Sequence, residues 1–167
     1  MTILNSEHLI DQGDRLATRP AAGAPRQADL RRAVSSAYYA LFHAVLLGAA
    51  DLVVGQARRS SVIYSLVYRT PNHGQVRKRF NEVLNNSGAV LSYLNQGEFG
   101  ADAIAFARAF VELHEKRHLS DYDPLYRITA SEAAVAIATG RAALVHWNAI
   151  PREQKDVILL LCLFQAR

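Results

Sequence analysis

Apolar residues recur at three- and four-residue steps along most of the chain, whereas the two-residue alternation of a half-buried strand is hard to find. The clearest run is Leu30, Val34, Ala37, Tyr38, Leu41 and Val45, one stripe of a helix beginning after Pro25. Alanines beside that stripe permit a close approach of neighbouring helices. An earlier helix over about 6–18 starts from Asn5 or Ser6 as N-cap. It stops ahead of Arg19-Pro20, because proline disfavours helical geometry in the residue before it. A short helical segment follows at 60–68.

After Pro71, Val76, Phe80, Val83 and Leu84 share one side of a helix over 74–84, and Asn85-Asn86-Ser87-Gly88 supplies its stop. A long helix over 100–121 packs through Ile104, Ala107, Phe110, Val111 and Leu113 and closes at Asp123-Pro124. Thr129 and Glu132 have capping-box spacing, so a helix opens there and runs to about 148. Pro151 suits the first turn of a last helix, to about Gln165. No repeat, low-complexity tract or linker interrupts the pattern. It predicts an all-α, antiparallel up-and-down bundle of about five to seven helices, forming a single domain over 1–167.

Length and composition agree with one body. A chain of 167 residues, half of them apolar, is long enough for a proper core and too short for two comfortable domains. A single cysteine, Cys162, excludes an intrachain disulfide and a multi-cysteine zinc site, which fits a reducing compartment, with the cytoplasm as the default. Glu7, Asp11 and Asp14 stand where a signal peptide needs an apolar run. The longest uninterrupted apolar stretch, 157–164, falls short of the roughly 20 residues that span a bilayer, so neither export nor membrane insertion is expected. The net charge of +4 is carried almost wholly by arginine, with lysine only at Lys78, Lys116 and Lys155. Arginine grips phosphates bidentately and stacks on bases, which is compatible with a nucleic-acid or nucleotide partner; genomic base composition gives the same bias.

Two polar sectors are candidates for chemistry. On the second helix, Arg32, Ser36, Tyr39 and His43 recur at steps of four, three and four. They form either one wall of a polar cleft or a boundary of half-buried residues with Arg32 solvated. On the long helix, His114, Arg117, His118 and Asp121 project from one side, with Phe110 above them. Imidazoles for proton transfer and a guanidinium to hold phosphate are what acid–base chemistry on a phosphodiester needs, although a solvated helix face gives the same pattern. His114 to His118 also matches the zinc-protease spacing HExxH. Lys116 and Arg117 stand between the histidines where the buried zincin helix is usually uncharged, and no third ligand follows at metzincin spacing. A zinc hydrolase using His114 and His118 as ligands and Glu115 as base is thus a remote alternative, and neither a metal nor a cofactor is expected.

Three blocks in consistent order resemble proteins of the HEPN family: 30–43, with its paired tyrosines and closing His43; 73–80, led by His73; and 117–124, which reads Arg-His-Leu-Ser-Asp-Tyr-Asp-Pro. The last is similar to the Arg-x-x-Ala-Asp-Tyr-Asp signature of one branch, with Ser120 in place of alanine. The resemblance covers about 30–124. It implies an antiparallel helical bundle, often a homodimer, found near toxin–antitoxin, nucleotidyltransferase and defence systems. Many members are metal-independent endoribonucleases with an Arg-x(4–6)-His motif, and Arg117 maps onto the motif arginine.

Here no histidine follows Arg117 at that spacing; Asp121, Tyr122 and Asp123 occupy the region. Arg108 and His114 do have the spacing but lie about 120° apart around a helix. The resemblance thus implies Arg117, His114 and His118 as catalytic candidates, with His73, Tyr122, Asp121, Arg32, Tyr39 and His43 binding RNA or a nucleotide. The alternative is a non-catalytic helical dimer docking a partner such as a cognate antitoxin or nucleotidyltransferase.

Overall fold

A computed structural model describes residues 4–18, 23–95 and 97–164. Among these residues the fold is all-α, and local sequence explains most helix starts. Helix α1 (Ser6–Ala17) begins where the Asn5 side chain accepts from the Glu7 amide. Helix α2 (Gln27–Val54) is followed by a 3-10 turn at Gln56–Arg58 and by α3 (Val62–Tyr68), which Ser61 caps. Asn72 and Gln75 form a full capping box at α4 (His73–Leu84), and a single turn, α5 (Gly88–Leu91), follows. Helix α6 (Ala101–Tyr122) is the long one; α7 (Ala130–Ala149) opens with the expected Thr129–Glu132 box, and α8 (Arg152–Leu163) ends the bundle. Pro151 stands at the N-cap of α8, one residue outside the expected first turn. The expected breaks at Arg19-Pro20 and Gln165 lie outside the described residues.

Helix α2 is the axis, packed against α1, α3, α6, α7 and α8. Contacts between named residues fix the directions. Ser35 meets Asp121 while Tyr38 meets Phe110, so α6 runs against α2. Asp102 in the first turn of α6 pairs with His146 in the last turn of α7, so α7 runs against α6; Phe80 packing on Phe106 and Phe110 while Arg77 reaches Glu115 does the same for α4. The antiparallel bundle encloses an aromatic spine of Phe80, Phe106, Phe110 and Trp147, with ring centroids of successive pairs 4.6–5.2 Å apart. Such pairs add about 0.5–1.5 kcal/mol each beyond their area burial.

Small residues set the tightest crossing. Gly13 lies against the Ala33 carbonyl and Ile137, and a Cβ on Gly140 would stand 2.9 Å from Ile10 Cδ1 and 3.3 Å from Ala37 Cβ. Helices α1, α2 and α7 therefore approach at a distance that only alanine and glycine allow. Helix α2 is long and apolar enough, by length and composition, to cross a membrane, and 56% of its most apolar window is buried inside the bundle.

Candidate functional site

The C-terminal end of α6 is fastened to α2 by an arginine. Arg31 donates to the carbonyls of Ser120 (3.3 Å) and Asp123 (2.9 Å) and, beyond the helix, to that of Tyr126. Carbonyls at a helix C-terminus lack intrahelical partners and carry the negative end of the dipole, so a guanidinium there meets both needs. This fastening places Asp121 beside Ser35, whose hydroxyl donates to Asp121 Oδ1 at 2.7 Å.

One turn earlier on α6, Arg117 is 9% exposed and projects between α2 and its own helix end. Its Nε lies 2.8 Å from Asp121 Oδ2 as an ion pair, although the N–H lacks the alignment of a hydrogen bond. Nη2 donates to the Tyr39 hydroxyl at 2.7 Å and lies 3.5 Å from the Tyr122 hydroxyl. The guanidinium carbon sits 5.2 to 5.8 Å from the ring centres of Tyr122, Tyr39 and Tyr38. Burial works against its charge, but the Tyr39 hydrogen bond and the field of Tyr39, Asp121 and Tyr122 outweigh burial and raise its pKa.

Three half-buried imidazoles border the tyrosines around this cation. His73, the first residue of α4, shares a 2.7 Å hydrogen bond between Nδ1 and the Tyr38 hydroxyl and lies 4.0 Å, ring to ring, from Phe42. His43 shares a 2.6 Å hydrogen bond with the Tyr68 hydroxyl of α3. His114 stands edge-on to Tyr38, with centroids 5.5 Å apart. The pKa of each is lowered, first by burial: His73 also by the charge of Arg117, His43 by His73, and His114 by Arg77. All three are neutral at neutral pH, the form in which an imidazole accepts a proton. Burial also raises the Tyr38 pKa, so its hydroxyl stays protonated.

Buried polar atoms normally find partners. The described ones that have no hydrogen bond gather here: Arg77 Nε, His114 Nδ1, Arg117 Nε and Ser120 Oγ, all on α4 and α6. Such a concentration beside a desolvated guanidinium marks a place where packing does not by itself satisfy the chemistry present. A groove of about 740 Å³ opens elsewhere, between Asp51, Arg59, Trp147 and Lys155, and shares no residue with this cluster. Its Arg59 is already paired with Asp51, a contact that raises the guanidinium's pKa, while burial lowers that of Lys155.

The structure brings together Arg117, Asp121, Tyr122, Tyr39, His73, His114 and His43 from the residues expected by sequence. It separates two. His118 points outward and is exposed, touching the cluster only through the Tyr122 ring at 5.1 Å. Arg32 is exposed, with no ion pair among the described residues. Several members were not anticipated: Tyr38, read as purely apolar, together with Arg31, Ser35, Tyr68 and Arg77. Only Tyr38 carried a signal, through the paired tyrosines of the first resemblance block. Glu115 pairs with Arg77, and among the described residues no three His, Cys, Asp or Glu side chains converge as metal ligands would. Comparison of the chain with protein-family models, with curated proteins and with solved structures gave no match.

Proposed function

We propose that this chain is a HEPN-like RNA- or nucleotide-binding domain in which Arg117 contacts a phosphate beside the neutral imidazoles of His73 and His114. The observation that carries the reading is the setting of Arg117: a charge-retaining guanidinium with 9% exposure, ringed by three tyrosines, whose charge helps lower the proton affinity of His73 and His114. A desolvated arginine binds phosphate more strongly than a solvated one, and a neutral imidazole is the species that takes a proton from a ribose 2′-hydroxyl. The reading extends to metal-independent endoribonuclease activity within a toxin–antitoxin or defence system.

The test is RNA cleavage in the presence of chelator by the parent, Arg117→Ala and His73→Ala/His114→Ala proteins. Cleavage by the parent and its loss in folded variants supports the nuclease form; equal cleavage by Arg117→Ala and the parent overturns it.

A second reading is favoured by the Arg31, Ser35, Asp121 and Arg117 chain of contacts, which already neutralises the guanidinium. In it the network is a lock within a non-catalytic helical homodimer that docks an antitoxin or nucleotidyltransferase.

A further inference from the structure

Of the six arginines and lysines in the segment 52–81, Arg59, Arg77, Lys78 and Arg79 pair with Asp51, Glu115 and Glu82, and Arg58 and Arg69 have no ion pair among the described residues. Within it, α3 turns an apolar face outward. Val62 is 86% exposed, Leu66 69% and Ile63 51%. Val62, Leu66 and Arg69 fall within about 60° around the helix, with Ile63 on its flank. The inner face is fixed: the Tyr64 hydroxyl donates to Asp51 Oδ1 at 2.8 Å, and Tyr68 is bonded to His43. The outward aliphatic side chains are thus presented on an anchored helix, flanked by the exposed cations Arg58 and Arg69.

We propose that α3 docks this protein on an anionic lipid surface, with Val62, Ile63 and Leu66 entering the headgroup boundary and Arg58 and Arg69 pairing with lipid phosphates. Charge selects the partner. A second copy of the same face would set arginines against arginines, and nucleic acid admits aliphatic side chains only by unstacking its bases, at roughly a few kcal/mol per step. Area separates lipid from protein: three aliphatic side chains on a seven-residue helix fall well short of the roughly 800 Å² per partner of a stable protein interface. A bilayer demands no such complementary area, because apolar insertion and attraction to anionic headgroups add. This proposal is independent of the nucleic-acid reading and uses different residues.

The experiment is sedimentation of the full chain with phosphatidylcholine vesicles, with and without about one third phosphatidylglycerol. Binding is expected only to the anionic vesicles. Val62→Asp/Leu66→Asp and Arg58→Glu/Arg69→Glu should each weaken it by at least about tenfold, whereas Arg152→Glu on α8 leaves it unchanged. Circular dichroism and size-exclusion chromatography confirm that the variants are folded. Four results overturn the proposal: no vesicle binding by the parent; equal binding to neutral vesicles; retention of binding by the Val62/Leu66 variant; or a parent dimer that this variant dissociates. The last would give the face to a second copy.

Discussion

Arg117 and Asp121 form an ion pair in which the acceptor is already committed: Oδ2 lies 2.8 Å from Nε while Oδ1 takes the Ser35 hydroxyl. Asp121 therefore both orients the guanidinium and competes with any phosphate for it. Asp121→Asn should lower stability by about 2 kcal/mol, since it leaves Arg117 desolvated without its counter-charge. If Arg117 binds phosphate, the same change should tighten binding of single-stranded RNA. Urea denaturation and fluorescence anisotropy on one preparation read both effects. A loss of stability with no gain in affinity supports the structural lock instead.

Arg31 holds the end of α6 through carbonyls rather than through an acidic partner. Arg31→Ala should cost about 2 kcal/mol, and Arg31→Lys should recover little, because a single ammonium cannot reproduce the fork. Thermal melts at neutral pH check this; full rescue by lysine would show that charge at the helix end suffices.

The three imidazoles give stability a pH dependence of definite sign. His43, His73 and His114 bind protons less readily when folded than their ordinary value of 6.5. The unfolded chain then holds more protons as pH falls below about 6.5, so stability is complete above that pH and is lost as pH descends through the lowered folded values. Melting temperature should drop between about pH 6.5 and pH 5, and His73→Gln/His114→Gln should flatten that drop. A slope unchanged in the variant would locate it elsewhere.

Gly140 is a packing requirement. Alanine there meets the mobile end of Ile10, but valine also drives into Ala37, so Gly140→Val should destabilise by about 2–3 kcal/mol. Equilibrium unfolding checks the value, and a melting temperature equal to the parent's would show that α1 and α7 can separate without cost.

Local physics made the helices legible, and long-range partners were not. The Thr129–Glu132 box is written within four residues and forms as expected. The single-turn α5 and the turn at Gln56–Arg58 are too short for periodicity to reveal. Arg31 could not be distinguished from Arg32 by sequence, because the acceptors that separate them lie about 90 positions away. Tyr38 belongs to the apolar stripe by spacing and is fully buried, yet its hydroxyl holds His73. Helical angle groups His118 with Arg117, yet the α6 face turns to solvent between them, and angle alone does not place that boundary.

Equilibrium binding of a labelled single-stranded RNA across a salt series decides whether Arg117 holds a phosphate. Parent, Arg117→Lys and Arg117→Ala proteins should be compared in chelator, with folding verified by circular dichroism. Phosphate contact gives a loss of about 1.5–3 kcal/mol in Arg117→Ala, a salt slope shallower by about one, and partial recovery by lysine. Binding by folded Arg117→Ala with the parent's affinity and salt slope would contradict it.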